Sequence, residues 1–333
     1  MRRGRAPGGG SGRLSRPARR CGRAPRAVLG SAVATLAVAL AGCAETGASS
    51  GEDAAARSAA VDSGPASDPA SDPGSGIVLE DAAGRTLRLD APPRRIVSLV
   101  PAATAMLLAL DARAALVGRT DFDTLAAVRD LPSVGDGLQP NLERLLALRP
   151  ELVIRFEGPQ DAVTGPALDA RGIPHLGVRT DRVADVRALL LQLGWLTGRE
   201  GRAMELVAGL DRELAAVRAR VETLPPVRVA YLLGGDPPWV AGPDSYLADL
   251  LAIAGAENVF DDLEQPYAPV GLEELLVRAP DVVLVARGTA VSERIRARAR
   301  VRELSPAIEV PGIGLGRSAL ELAELLHADG FAR

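Results

Sequence analysis

The sequence predicts an α/β protein of two Rossmann-like lobes with mainly parallel sheets, joined by one long backbone α-helix, with a ligand cleft between the lobes. Three observations predict it. Residues 141–158 (NLERLLALRPELVIRFEG) recur 130 residues later as 271–288 (GLEELLVRAPDVVLVARG), with Leu, Glu, Leu, Leu, Pro, Val and Gly in register. Such a repeat means two copies of one unit, here a short amphipathic helix, a stopping proline and an apolar strand. Each half alternates strand-like and helix-like segments, which implies a parallel sheet covered by helices. Between the halves, Met204, Val207, Leu210, Leu214, Val217 and Val221 lie three or four apart, as one unbroken helical stripe.

The elements follow in chain order. Residues 1–26 are basic and rich in Gly and Pro, and residues 27–40 (AVLGSAVATLAVAL) carry no charge. An apolar run of that length is shorter than the roughly 20 residues that cross a bilayer, and fits the core of a secretory signal. Leu40-Ala41-Gly42-Cys43 follows and resembles the lipobox of bacterial lipoproteins. That resemblance implies a signal peptide over 1–42 and acylation of Cys43, which anchors the exported chain to a membrane. Residues 44–76 hold one valine and no Leu, Ile, Phe, Tyr or Trp, too little apolar surface to offset ordering, so 43–76 is expected to be a tether.

The folded body starts at Ile77. Ile77-Val-Leu-Glu80 and Thr86-Leu-Arg-Leu89 flank Gly84 as a hairpin. Arg95-Ile-Val-Ser-Leu-Val100 is a buried strand, and Pro101 opens a helix because a first-turn proline loses no intrahelical bond. A looser echo joins the halves: Arg95-Ile-Val-Ser-Leu99 resembles Arg228-Val-Ala-Tyr-Leu232, and Leu107-Leu-Ala-Leu110 resembles Leu250-Leu-Ala-Ile253. Val183, Val186, Leu189, Leu190 and Leu193 have helical spacing up to Thr197-Gly198, and the long helix spans about 199 to 223 before Pro225-Pro226. The expected organisation is an N-terminal lobe over 77–198, a backbone helix over 199–224 and a C-terminal lobe over 225–333.

Composition excludes several classes. All 39 basic residues are arginine, and nine lie in residues 1–42 with no acid, which leaves 30 against 42 acidic residues, a net −12, in the remainder. A body that acidic lacks the phosphate-neutralising surface of a nucleic-acid binder. Two cysteines and two histidines are too few for a structural zinc site or a disulfide framework, so no metal site or cofactor is expected. Gly234-Gly235 is not followed by a phosphate-loop lysine, and no G-x-S-x-G elbow occurs. His175, near a strand start, and His327, at the end of the last helix, have structural or solvent roles, so the chain is not expected to be an enzyme.

With these elements in place, the chain resembles the ABC-importer substrate-binding proteins whose two lobes are joined by a single backbone helix, a cluster that binds cobalamin, haem and ferric siderophores. The resemblance covers most of residues 85–330. It is carried by Arg95-Ile-Val-Ser-Leu with Pro101, Leu116-Val-Gly118, Asn141-Leu-Glu-Arg-Leu-Leu-Ala-Leu-Arg-Pro150, Pro237-Pro-Trp-Val-Ala-Gly242, Gly255-Ala-Glu-Asn-Val-Phe260 and Val270-Gly-Leu-Glu273, and is strongest toward the cobalamin binders. It implies that Phe122, Phe156, Trp239 and Tyr267 line the cleft, four of only nine aromatics, and flat apolar faces suit a corrin or porphyrin. Gly135-Asp-Gly137 and the short Pro311-Gly-Ile-Gly-Leu-Gly-Arg317 loop depart from the cobalamin pattern.

The resemblance also implies that Glu143 and Glu273, one per lobe and equivalent in the repeat, dock into arginines of an ABC permease dimer with its ATPase. Both lie in a first helical turn, where a carboxylate is favoured by the helix dipole in any case, behind Asn141 and Gly271 as N-caps. The implied protein is a monomeric, membrane-anchored lipoprotein with a corrinoid ligand and no nucleic-acid partner. Haem is the alternative, with Tyr267 as an axial phenolate, and a ferric siderophore would use Arg119 and Arg155.

Overall fold

The computed structural model describes residues 76–328. The signal, Cys43 and nearly all of the tether expected from the sequence lie outside the described residues. Strands are β1 (Ile77–Glu80), β2 (Thr86–Leu89), β3 (Ile96–Ser98), β4 (Leu116–Gly118), β5 (Leu152–Phe156), β6 (His175–Val178), β7 (Val227–Gly234), β8 (Trp239–Ala241), β9 (Ala256–Asn258), β10 (Tyr267–Pro269), β11 (Val282–Ala286) and β12 (Arg300–Leu304). Helices are α1 (Pro101–Ala109), α2 (Leu142–Ala147), α3 (Thr164–Asp169), α4 (Val183–Thr197), α5 (Glu200–Val221), α6 (Tyr246–Ile253), α7 (Leu272–Arg278), α8 (Glu293–Arg296) and α9 (Leu315–Leu326).

The two halves share one strand order. The N-terminal sheet runs β4-β3-β5-β6 and is wholly parallel. In the C-terminal sheet, β9, β7, β11 and β12 pair in the same order, also in parallel. One addition breaks the likeness: β8 and β10 form an antiparallel ribbon on the β7 edge that sequence periodicity did not reveal. The repeat is exact in burial. Residues 141–150 and 271–280 carry the same sequence of exposed, half-buried and buried positions. The residue before each stopping proline, Arg149 and Ala279, is left-handed at φ 46° in both. A residue before proline is pushed out of the right-handed helical region, so the helix must end there.

Sheet alternation divides the interior into three cores. Val97, Val153 and Leu145 pack on the outer face of the N-terminal sheet, and Ala230, Val283 and Leu275 on that of the C-terminal sheet. The inner faces, with Ile96, Ile154, Tyr231 and Leu284, share a single core with α1, α4, α5, α6 and α9. The helix between the sheets is therefore not a bare rod: α5 packs against α4 on one side and α9 on the other. Burying each of Leu210, Leu214 and Val217 there stabilises by roughly 1.5–3 kcal/mol.

One expectation is corrected. The helical stripe included Met204, which is 60% exposed, and Ala203 is buried instead. The cause is a close approach: a Cβ on Gly194 of α4 would stand 2.4 Å from the Ala203 Cβ. Only small residues fit where the two helices turn back on each other, and Met204 is rotated outward.

Candidate functional site

In open parallel sheets, ligands bind beyond the carboxyl ends of the strands. Phe122 lies in the loop after β4, and Phe156 is the last residue of β5. Phe156 points the same way as Leu152 and Ile154, toward the shared core, and is half-buried against it. Phe122 is 63% exposed. On the C-terminal side the ribbon positions the other two aromatics. Tyr267 pairs with Ala241 and Pro269 with Trp239, so Trp239 and Tyr267 project from one face, two residues apart in register. That face is the inner one, because Ala241 and Tyr267 belong to the shared core while Val240 points to the outer core. Trp239 is 46% exposed.

A groove of about 480 Å3 runs beside α4, lined mostly by the N-terminal half, from Asp81 at the hairpin turn through Val178 and Arg182 to Gln192 of α4, with only Asp244 and Pro266 from the other half. None of the four aromatics lines it, although Val178 pairs with Phe156 and Pro266 precedes Tyr267. Arg182, at the start of α4, crosses between the halves. Its Nη2 donates to Asp249 Oδ1 at 2.6 Å and its Nη1 pairs with Asp244, while the Val183 amide donates to Asp249 Oδ2 at 2.9 Å.

The structure adds residues that sequence reasoning missed. All three tyrosines of the chain gather on this inner face. Tyr231 is fully buried, and its hydroxyl donates to Glu309 Oε1 at 3.2 Å. Burial pushes the Tyr231 and Tyr246 phenols well up, helped at Tyr231 by Glu309 and at Tyr246 by Tyr267 and then Glu309. Burial and then the Asp181 charge do the same for Tyr267, whose hydroxyl meets Ser245. Burial also raises the Glu309 carboxyl. One signal existed: Tyr231 takes the place of Ser98 in the echoed strands, and a polar group at a buried strand position calls for a partner.

Arg155 is 4% exposed and lies on the opposite face of β5 from Phe156. It bonds Glu157 (2.6 Å), Asp161 (3.1 Å) and His175 Nδ1 (3.1 Å). His175 in turn meets Asp169 at 2.9 Å and Arg85, which pairs with Asp81. This network ties the β1–β2 hairpin to the sheet edge. It also leaves Arg155 unable to receive an anion in the cleft. His327 is buried as well, with Nε2 3.0 Å from the Ala254 carbonyl. Arg119 bonds the Thr120 carbonyl at 2.7 Å. In the same loop the buried Asp123 accepts from Thr120 through Oδ2, while its Oδ1 has no partner among the described residues.

Glu143 and Glu273 are both exposed in the first turns of α2 and α7. The Asn141 side chain caps α2 by accepting from the Arg144 amide at 3.0 Å, whereas Gly271 offers no side-chain cap.

Two lobes of like topology, a shared helical layer and a cleft at the strand ends define a two-lobed ligand-binding protein. The chain belongs to the periplasmic binding protein family, which matches residues 96–309. It is 27% identical over 201 residues to the vitamin B12-binding protein of Vibrio parahaemolyticus, covering 60% of this chain and 72% of that one. Among solved structures it resembles an ABC-type Fe3+-hydroxamate transport protein from Saccharomonospora viridis, with TM-score 0.61 and 27% identity over 75% of this chain and 98% of that one. It also resembles the periplasmic haem-binding protein of Roseiflexus, with TM-score 0.59 and 26% identity over 72% of this chain and 98% of that one. These are binding proteins for transport, not enzymes, and the family is an exported one.

Proposed function

We propose that this protein captures a corrinoid in the inter-lobe cleft and delivers it to an ABC permease dimer. The observation that carries this reading is the side-by-side placement of Trp239 and Tyr267 on the inner face of the ribbon, with Tyr267 packed on the same core as Phe156 of the other half. Aromatic faces from two sides give a flat macrocycle stacking area with few fixed hydrogen bonds. The relatives named as vitamin B12-binding proteins support it. Glu143 and Glu273 are the docking pair, Cys43 is the lipid anchor, and the functional units are 77–198, 199–224 and 225–333.

The alternative is haem or a ferric siderophore. Burial raises the Tyr267 phenol, which disfavours an axial phenolate, and Arg155 is engaged by Glu157 and Asp161. Calorimetry of the purified protein with cyanocobalamin and with haemin tests the reading. Binding of cyanocobalamin is expected. Tight binding of haemin without cyanocobalamin would move the assignment to haem.

A further inference from the structure

We infer that Asp123 is a positioning residue: buried in the loop after β4, it closes a turn that holds the Phe122 ring out in solvent, preset for contact with a bound macrocycle. This deepens the corrinoid reading and rests on it for what Phe122 touches.

The turn is built from the four residues Thr120 to Asp123. The Asp123 amide donates to the Thr120 carbonyl at 3.3 Å, which makes Asp121 and Phe122 the two central residues. Side chains close it a second time. Asp123 Oδ2 accepts from both the amide and the hydroxyl of Thr120, each at 2.8 Å. Thr120 is fully buried and Asp123 is 4% exposed, yet Phe122 between them is 63% exposed. Among the described residues, none of the three cores includes Phe122.

A second segment clamps the same turn. The Asp121 amide donates to the Gly135 carbonyl at 2.9 Å, and Asp121 Oδ1 accepts from the Ser133 hydroxyl at 2.6 Å. Gly137 then passes so close to the end of β3 that a Cβ there would collide with the Leu99 carbonyl oxygen, with Thr120 Cγ2 next to it. The turn therefore lies at the carboxyl edge of the N-terminal sheet, the edge where open parallel sheets take ligands.

This anchor adds little to stability by itself. Asp123 Oδ1 has no partner among the described residues, and a buried carboxyl oxygen without a donor is destabilising. The exposed Phe122 ring forgoes most of the stabilisation that burying it would bring. What the arrangement secures is geometry: a large apolar face at a strand end, with little conformational freedom left to lose when a flat ligand stacks on it.

The test reads position and affinity separately. In full-length protein labelled with para-fluorophenylalanine, Phe122→Leu identifies its fluorine NMR signal among those of the four phenylalanines. Asp123→Ala should shift and narrow that signal and leave the others in place. Titration with cyanocobalamin and with haemin reads affinity. For a macrocycle that binds, Phe122→Ala should weaken binding at least about fivefold, the low end for a lost stacked aromatic. Asp123→Ala should weaken it about threefold or more while Phe122 is present. With Phe122 already alanine it should weaken binding by less than about 1.5-fold, because a residue that acts through Phe122 has nothing left to act on. Thr120→Val removes one bond to Oδ2 and keeps the side-chain shape, and is read in the same way should Asp123→Ala fail to fold. An unmoved Phe122 signal, an affinity indifferent to Phe122→Ala, or an equal loss in both backgrounds would overturn the inference. If only haemin binds, or neither macrocycle does, the corrinoid reading falls. The haemin titrations in the first case and the fluorine signal in the second still decide whether Asp123 positions the ring.

Discussion

Arg95 and Arg228 close equivalent helix ends in the two halves. Arg95 Nε donates to the Leu148 and Arg149 carbonyls at 3.1 Å each, and Arg228 donates to the Arg278 and Ala279 carbonyls at 2.9 and 3.1 Å. The carbonyls of Arg95 and Arg228 accept from the Glu151 and Asp281 amides, both at 2.8 Å. Helix carbonyls left without intrahelical partners are thus satisfied by a strand-start arginine. The two echoes in the sequence are one device: the strand arginine and the helix-proline-strand unit belong together. Arg228→Ala should lower unfolding free energy by about 1 kcal/mol. Ala279→Gly should raise it by about 0.5 kcal/mol, because the left-handed conformation costs an alanine roughly 1–2 kcal/mol and glycine entropy returns part of that. Urea denaturation measures both, and a destabilising Ala279→Gly would contradict the strain account.

His175 makes stability depend on pH in a defined window. Burial, then the neighbouring Arg85 and Arg155 charges, lower its pKa against the opposing effect of Asp169. The folded state therefore resists protonation while the unfolded chain takes up a proton near its ordinary value of about 6.5. Stability is full above that value and falls as pH drops through it toward the lower folded pKa, below which the loss levels off. Melting temperatures between pH 7.5 and 5 should show this fall. His175→Gln should flatten it, and an unchanged slope in that variant would assign the effect elsewhere.

The aromatics proposed to hold the ligand should separate by what else they do. Trp239→Ala and Tyr267→Ala are each expected to weaken corrinoid binding by about 1–3 kcal/mol. Trp239 is half in solvent, so its loss should change stability by less than about 0.5 kcal/mol. Phe156 packs on the shared core, so Phe156→Ala should cost about 2–3 kcal/mol of stability as well as affinity. Calorimetric titration alongside thermal melts distinguishes the three.

Docking should be separable from binding. Glu143→Ala with Glu273→Ala removes exposed carboxylates at two helix starts. Ligand affinity should stay unchanged, while transport and ATPase stimulation in reconstituted vesicles fall, partially for each single variant. Arg–carboxylate contacts are charge-assisted and often bidentate, so each lobe contributes orientation as well as energy. Normal transport by the double variant would leave both glutamates with only their favourable place at the helix dipole.

Lobe motion should be small. The α4–α5–α9 packing and the Arg182 link to Asp249 and Asp244 join the halves at the cleft floor. Hinge closure needs a few residues free to change φ and ψ, and a packed helix offers few. Small-angle scattering with and without ligand should give nearly equal radii of gyration. Arg182→Ala, which loses a half-buried bidentate pair with Asp249, should cost about 1 kcal/mol and permit a larger change.

What the sequence determined by itself was whatever a local period or an internal repeat encodes. The β–α alternation, the helix-proline-strand units at 141–158 and 271–288 and the long helix follow from spacing along the chain. Burial at 3.6- or 2-residue periods is a local consequence of secondary structure. The resemblance pointed to four aromatics by position, but spacing along the chain could not say which way they face. That required the β8–β10 ribbon, whose three-residue strands are too short to show a period and whose register exists only through pairing. Tertiary structure alone decided the contacts between distant residues. Tyr231 meets Glu309 across 78 positions and Arg182 meets Asp249 across 67, because sheet order and helix packing bring them together. It also turned Met204 outward, since the approach of Gly194 to Ala203 admits only small side chains. A single chain's periodicity reports which face is apolar; it carries no distance between faces, and that distance decides which polar groups are buried and must find partners.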